Sequence, residues 1–374
     1  MNLKGIVMGA VCGVVAGTVL AAEPQYLVVD LEKPGAVTYV ESLEKLPDGG
    51  LANDAYRTTR LVLRRIAAKG KGFLMGSPEW EIGHDCLADA GREGWNDGGV
   101  ERRLPVRFTH DYYIGVYPVT QGQWERTMTG RCETYAGYAT TPRPSWFTNE
   151  QYYASRPVEN IPLRAIYGEN TDMEAYPQFE RILRPGRYLY VMRQLTGLRC
   201  DLPTDAQWEF ACRAGTETSF YSGRNVCREV DSQSLGAICN RTAPAVDSAD
   251  PALNLRNVTP AEGGTYTVGT CTPNAFGLYD LYGNVKEMVA DWWCPTWPMH
   301  CHNQGLVIDP KGFADDWYTL YLAKVVSAAP TLRGGGFTDW GDQNTSCNSY
   351  RRYNGGDMYT GAYPEHGFRL IIQL

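Results

Sequence analysis

The sequence predicts an α+β fold with short strands, few helices and long loops. Glycine, tyrosine and tryptophan are abundant, at 40, 24 and 10 of 374 residues. This composition suits short strands joined by turn-rich aromatic loops better than it suits a helical bundle. Two capping boxes mark two short helices, and alternating apolar residues mark strands.

The first 22 residues are typical of a secretory signal peptide. Lys4 is the only charged residue among them, residues 6–20 are apolar or small, and Ala21 and Ala22 precede Glu23. Such a run is too short and wrongly flanked to be a stable membrane anchor. We therefore expect an exported protein, periplasmic or extracellular, with no membrane span.

Residues 23–69 are predicted to form a separate N-terminal extension. It begins with a strand-like stretch, "QYLVVDL", and residues 58–69 have helical character. From residue 70 to residue 374, alternating apolar residues and frequent turn-forming residues indicate the main domain. Near its start, Val106, Phe108, His110 and Tyr112 recur with period two in a stretch that predicts two strands.

Both helices begin at a threonine followed three residues later by glutamine. Thr120 and Gln123 form the first capping box, and Thr204 and Gln207 form the second. Between these helices, residues 131–190 are rich in Tyr, Pro and Asn with weak periodicity. We interpret them as a divergent insertion or long loops.

Charge and cysteine content limit the functional classes. A net charge of −7 argues against binding to nucleic acid or anionic membranes.

Eleven cysteines less Cys12 of the signal leave an even number, and export favours disulfides among them. Cys227 with Cys239 and Cys294 with Cys301 are close enough in sequence to bridge, although the sequence does not fix the pairing. The stretch "MHCH" at 299–302 allows a transition-metal site as an alternative to the second bridge.

Six motifs occur in a fixed order from about residue 70 to the end. They are "FLMGS" at 73–77, "YPVTQGQW" at 117–124, "LPTDAQWEFACRAG" at 202–215, "NAFGLYDLYGNVKEM" at 274–288, "LRGG" at 332–335 and "GFRL" at 367–370. Together they resemble the formylglycine-generating enzyme family, also called sulfatase-modifying factors. The resemblance implies an α+β fold related to C-type lectins.

The resemblance also implies an oxidase whose two cysteines bind copper and convert a sulfatase cysteine to formylglycine. Here Asp339 falls at the first cysteine position and Cys347 matches the second. A carboxylate and a thiolate hold copper poorly, since copper(I) prefers two soft ligands. Copper is therefore not expected, and Cys347 is the single catalytic candidate; a disulfide-bonded or buried Cys347 is the alternative.

Calcium is the cofactor that the resemblance implies. In this sequence the family's structural calcium ligands correspond to Asp280, the carbonyls of Gly283 and Val285, and Glu287. Calcium prefers such oxygen ligands. A second family site would include Asn240, but its expected downstream aspartate has no clear match.

The C-terminal segment combines aromatic residues with Asn, Asp, Ser and Gly, as recognition surfaces do. Trp340, Tyr350 and Arg352 are the predicted ligand-binding residues. The sequence thus favours a binding protein with an incomplete cysteine pair and a protein, peptide or glycan ligand. The alternative is an active formylglycine-generating oxidase with a sulfatase as its partner.

Overall fold

The computed structural model describes residues 23–77, 103–135, 138–168, 183–223, 239–240, 264–293, 305–311, 330–337, 347–356 and 361–374. Short strands dominate, and five α-helices occur in these ranges. The strands are β1 Tyr26–Asp30, β2 Val37–Val40, β3 Arg60–Ile66, β4 Gly72–Met75, β5 Leu104–Arg107, β6 Tyr112–Gly115, β7 Thr134–Tyr135, β8 Tyr138–Ala139, β9 Cys200–Asp201, β10 Cys239–Asn240, β11 Tyr282–Gly283, β12 Lys286–Trp292, β13 Val307–Ile308, β14 Pro330–Arg333, β15 Arg352–Asn354, β16 His366–Phe368 and β17 Ile371–Gln373. The helices are α1 Ala55–Thr58, α2 Gln121–Met128, α3 Leu163–Ile166, α4 Tyr188–Thr196 and α5 Asp205–Arg213.

The largest sheet has six antiparallel strands in the order β9-β17-β6-β3-β1-β2. It brings β3 close to the closing strand β17, since β6 lies between them. A four-stranded sheet has the order β15-β14-β12-β16, in which β12 and β16 are parallel. A three-stranded sheet has the order β13-β5-β4. The mixed sheets and few helices confirm the predicted α+β class.

The segment 23–69 is not structurally separate from the rest of the chain. Its strands β1, β2 and β3 belong to the six-stranded sheet, and β3 pairs directly with β6. The predicted boundary near residue 70 does fall between strands of different sheets, because β4 belongs to the three-stranded sheet. The N-terminal segment therefore completes the main sheet.

Residues 60–66 form a strand and not the predicted helix. Leu61 and Leu63 pack in the main core, whereas Val62 packs in a second, smaller core with Val28 and Tyr26. Both faces of this part of the sheet are thus buried, so residues 61–63 form a continuous apolar run without the alternation that marks a half-exposed strand, and the arginines at 60, 64 and 65 are half-buried.

The two helix predictions are confirmed. Thr120 caps α2 and Thr204 caps α5, and each forms a reciprocal capping box with the glutamine three residues later. Trp124 of α2 stacks on Tyr188 of α4 with ring centroids 4.9 Å apart. These contacts fix the helices against the main core.

Part of the predicted insertion contributes to the core. Val158, Ile161 and Leu163 are almost completely buried in the main cluster. Residues 169–182 lie outside the described ranges. Among the helices described, none combines the length and the apolar run that crossing a bilayer requires.

Candidate functional site

The site begins at the glycine turn that follows β14. Gly334 and Gly335 both have positive φ, at +86° and +73°. A Cβ on Gly334 would lie 2.6 Å from the carbonyl oxygen of Leu281 and 3.2 Å from the Trp208 ring. Only glycine fits this combination of conformation and close approach. The turn thus sets the start of the segment 337–363, which we call the terminal segment.

A buried ion network holds the terminal segment to α5. Arg333 donates to Asp205 and, at 2.8 Å, to Glu209; Arg352 donates to the other oxygen of Asp205 at 2.6 Å. Arg213 donates to Glu209 at 2.8 Å. All five side chains are buried. The same carboxylate therefore anchors residues on both sides of the 338–346 stretch.

Charge pairing decides the protonation states in this network. Burial raises the pKa of Asp205, but the guanidinium groups of Arg333 and Arg352 outweigh it, and the pKa is lowered. Burial lowers the pKa of Arg333, but Asp205 and Glu209 outweigh it, and the pKa is raised. Both shifts favour the charged forms of Asp205 and Arg333.

Cys347 is a free thiol with only 5% of its surface exposed. Asp339 and Trp340 lie outside the described residues. Nearby, the thiol of Cys212 donates to the Ser349 hydroxyl at 3.8 Å, and burial raises the pKa of Cys212 to about 12. A thiol with so high a pKa is neutral at physiological pH, so Cys212 is not a thiolate nucleophile.

Disulfides are not formed among the cysteines described in full. Cys132, Cys200, Cys212 and Cys347 carry free thiols. The prediction that Cys347 forms a disulfide is therefore not supported. The alternative prediction, that Cys347 is buried, agrees with the structure. The bridges considered for Cys227 with Cys239 and for Cys294 with Cys301 involve side chains outside the described part of the chain, as does "MHCH".

Tyr350 and Arg352 are structural residues in this fold. Tyr350 is fully buried, and Arg352 is buried with its Nε bonded to Asp205. A ligand reaches neither side chain without rearranging the core. Arg351 is the less buried arginine of the pair, and its guanidinium lies 5.5 Å from the centre of the Tyr353 ring.

The residues predicted to bind calcium lie close together around β11 and β12. Asp280 is buried with φ +54°, and its Oδ2 accepts from the Gly269 N–H at 2.6 Å. Glu287 accepts from Arg369 at 2.7 Å and from the Trp208 indole at 2.7 Å. The backbone of Asn240 pairs with that of Gly283.

Asp280 fits a calcium ligand better than Glu287 does. A cation at Glu287 would share that carboxylate with the Arg369 guanidinium, and the two positive charges repel each other. Within the described residues, no three His, Cys, Asp or Glu side chains are grouped so that they could hold a metal ion. Calcium binding through two carboxylates and two carbonyls stays a prediction.

Calcium binding is tested by thermal unfolding. We expect the melting temperature to be higher in excess calcium than in chelator, since a ligand held a hundredfold above its Kd stabilises the folded state by about 2.7 kcal/mol. Asp280→Asn is the matched variant, because asparagine tolerates positive φ and still accepts from Gly269. It should weaken the calcium response and keep the fold, since the neutral carboxamide oxygen can still ligate calcium but lacks the charge of the carboxylate; identical wild-type curves in calcium and chelator would refute the site.

A charged cluster lies beside the glycine turn. Lys286 Nζ is 3.0 Å from Glu365 Oε1, and His366 Nε2 is 3.5 Å from the same oxygen. Burial raises the pKa of Glu365, but the hydrogen bond from His366 and the charge of Lys286 outweigh it and lower the pKa to about 2. Lys286 Nζ also lies 5.3 Å from the centre of the Tyr353 ring.

Aromatic side chains border this cluster. Tyr363 packs on His366 with ring centroids 5.2 Å apart and is itself exposed. Phe337 and Phe147 pack edge-to-face with ring centroids 5.3 Å apart. Trp146, which precedes Phe147 in the sequence, is 70% exposed. We call Trp146, Phe337, Tyr353 and Tyr363 the aromatic rim.

Sequence reasoning missed Trp146, Lys286, Glu365 and His366. Lys286 lies inside the calcium motif and His366 directly precedes "GFRL". The close spacing of Glu365 and His366 next to a recognised motif was the available signal. Trp146 had none, since scattered aromatic residues are common on protein surfaces.

Two relatives are similar in sequence to part of this chain. The chain is 32% identical over 197 residues to the chaperone protein LppX of Paenibacillus barcinonensis, covering 51% of this chain and 64% of that protein. It is 29% identical over 158 residues to the formylglycine-generating enzyme of Thermomonospora curvata, covering 40% of this chain and 41% of the enzyme. The match thus spans less than two thirds of either relative.

Structural comparison agrees on the fold. The Treponema denticola variable protein 1 superposes with a TM-score of 0.52 at 19% identity, covering 84% of this chain and 96% of that one. The profile of the sulfatase-modifying factor enzyme 1-like domain matches residues 76–374. This chain therefore belongs to the formylglycine-generating enzyme, or sulfatase-modifying factor, family.

Proposed function

We propose that this chain is an exported binding protein that recognises a protein or peptide partner, and that it does not generate formylglycine. The observation that carries the proposal is the incomplete cysteine pair. Asp339 stands at the first position, and Cys347 at the second is almost fully buried. One carboxylate and one enclosed thiol are a poor ligand set for copper(I).

The aromatic rim and the charged cluster supply the binding surface of this proposal. Tyr363 presents an exposed ring that packs on His366 beside the Lys286–Glu365 ion pair, and Trp146 is an exposed ring next to Phe147, which packs on Phe337. Rigid aromatic side chains next to polar groups are typical of recognition surfaces, and they lose little conformational entropy on binding. The relative named as a chaperone favours a protein or peptide partner over a glycan.

Formylglycine generation is the second candidate, favoured by relatives that carry that name. We expect purified protein supplied with copper and oxygen to leave the cysteine of a sulfatase-type peptide unchanged, as measured by mass spectrometry of the peptide. An active relative in the same assay is the control. Robust conversion by the wild type would overturn the proposal, whereas conversion by Asp339→Cys alone would mean that the site is otherwise intact.

The binding arm of the same experiment captures a partner from the native medium or envelope and then measures its affinity. Trp146→Ala should weaken binding by roughly thirtyfold, as expected for an interface aromatic. Tyr39→Ala is the matched control, because Tyr39 is about half exposed on the edge strand β2 of the six-stranded sheet. Equal affinities for both variants and the wild type would place the binding surface elsewhere.

A further inference from the structure

One buried carboxylate lies directly beneath the most exposed large aromatic side chain of the described residues. Trp146 is 70% exposed, whereas Glu159 is fully buried. The two oxygens of Glu159 accept from two consecutive backbone N–H groups, those of Trp146 and Phe147, each at 3.1 Å. The Ser145 hydroxyl accepts from the Glu159 N–H at 3.3 Å and donates to its carbonyl at 3.4 Å. A single residue therefore fixes the whole 145–147 turn.

We propose that Glu159 is a pH-dependent clamp: its ionised carboxylate holds the Trp146–Phe147 turn, and its protonation releases that turn. The bidentate arrangement uses both oxygens as acceptors, and the charged carboxylate accepts such bonds strongly through each of them. In the protonated form one oxygen becomes a hydroxyl, which is a weaker acceptor than a carboxylate oxygen. The hydrogen bond to one of the two N–H groups is therefore weakened.

The turn is fixed at its ends independently of Glu159. Asn160 Nδ2 donates to the Pro144 carbonyl at 2.9 Å, and Gln121 Nε2 donates to the Phe147 carbonyl at 3.2 Å. Gly264, with φ +100°, allows the Phe147 ring to pack against its backbone. Release is therefore confined to the middle of the turn, where Trp146 lies.

The clamp contacts both ends of the terminal segment. Phe147 packs edge-on against Phe337 at one end. Asn160, the residue after Glu159, donates its backbone N–H to the Tyr363 carbonyl at 2.9 Å at the other end. The state of Glu159 thus bears on the rim residues Trp146, Phe337 and Tyr363, whatever partner binds there.

The electrostatic setting supports a transition near neutral pH. Burial raises the pKa of Glu159 to about 7, against the lowering by the Trp146 and Phe147 N–H groups, Ser145 and the positive charge of Arg156. The backbone of Gly367 lies close to the Val158 carbonyl, and the titratable residues that precede this contact are His366 and Glu365. Arg156 also lies over the Phe147 ring at 5.9 Å.

The test measures hydrogen exchange of the Trp146 and Phe147 amides in the wild-type protein at about pH 5.5 and about pH 8.5, on either side of the Glu159 pKa. Rates are corrected for the intrinsic pH dependence of exchange. We expect protection of at least one of these amides to be about tenfold lower at the acidic pH, because its acceptor is weakened. Equal protection at both pH values would overturn the clamp.

Glu159→Gln is the diagnostic variant, because glutamine keeps the size but offers only one oxygen acceptor. It should show the acid-like protection at both pH values. Glu150→Gln is the matched control, since Glu150 is an exposed carboxylate of the same region, paired with Arg143. A pH transition that persists in Glu159→Gln would assign the titration to another group and refute the proposal; if this variant does not fold, the wild-type comparison decides alone.

Discussion

Replacing Arg333 with methionine is expected to lower the free energy of unfolding by roughly 3 to 5 kcal/mol, the usual consequence of removing one partner from a buried ion pair. Asp205 and Glu209 are both fully buried and both accept from Arg333. Arg352 remains in the variant as a donor to Asp205 and Arg213 as a donor to Glu209, but the Arg333 guanidinium that links the two carboxylates is gone. The side chain of Arg333 also donates to the Ser349 carbonyl at 3.0 Å.

Urea unfolding followed by tryptophan fluorescence measures this effect. Lys45→Met is the control, because its ion pair with Glu41 is exposed. An exposed pair contributes about 0 to 1 kcal/mol, so the control should unfold nearly as the wild type does. A loss in Arg333→Met no larger than that in Lys45→Met would mean that the network adds little to stability and that its role is to position the terminal segment.

The second large effect is a fall in stability as pH rises through the acidic-to-neutral range. The pKa of Glu159 in the folded protein is about 7, above its ordinary value of 4.5. Between these values the folded state holds a proton that the unfolded state has released, so stability is full below 4.5 and is lost as pH rises through 7. The shift corresponds to roughly 3 kcal/mol.

Unfolding of the wild type and of Glu159→Gln at a series of pH values isolates this contribution. The difference between the two free energies should change across the window between the two pKa values and level off above it. Glu365 acts elsewhere: its pKa is lowered to about 2, so its contribution is present above the ordinary carboxyl pKa and is lost as pH falls toward 2. Parallel pH profiles for the wild type and the variant would show that Glu159 has the same pKa in the folded and the unfolded protein, and they would contradict the prediction.

Ionisation of Glu159 has opposite effects on the stability of the fold and on the strength of the local clamp. Ionisation reduces the stability of the whole fold, because a charge is buried, yet it strengthens the local clamp, because both oxygens accept hydrogen bonds. Hydrogen exchange measures the hydrogen bonds of the clamp, whereas urea unfolding measures the free energy of the whole fold. The two predictions can therefore fail independently.

Local features were predictable from the sequence. The capping boxes at Thr120 and Thr204 depend on residues three positions apart, so they act within one helical turn and form as expected. Strand β1 follows directly from the apolar run "YLVVD". The ordered motifs identified the family and with it the α+β fold, because they mark the turns, caps and strand ends on which that fold depends.

Long-range contacts decided the rest. Arg369 donates to the Gly115 carbonyl, and Asp205 pairs with Arg333 and Arg352, across more than a hundred residues of sequence. No local pattern distinguishes such an arginine from an exposed one, so the sequence predicts Arg352 as a ligand-binding residue, whereas the structure pairs it with the buried Asp205. The sequence likewise predicts Tyr350 as an exposed ligand-binding residue, whereas the tertiary structure buries it completely.

What the sequence by itself determined is the family and the fold class, and it predicts that Asp339 stands where the family's first cysteine is expected. The tertiary structure alone decided which side chains face solvent and which are buried in pairs. It enclosed Cys347, made β3 a central strand with both faces covered, and placed the Glu159 carboxylate under Trp146. The physical reason is that burial and charge pairing depend on neighbours that are distant along the chain, whereas capping, turns and motif order depend on neighbours that are close.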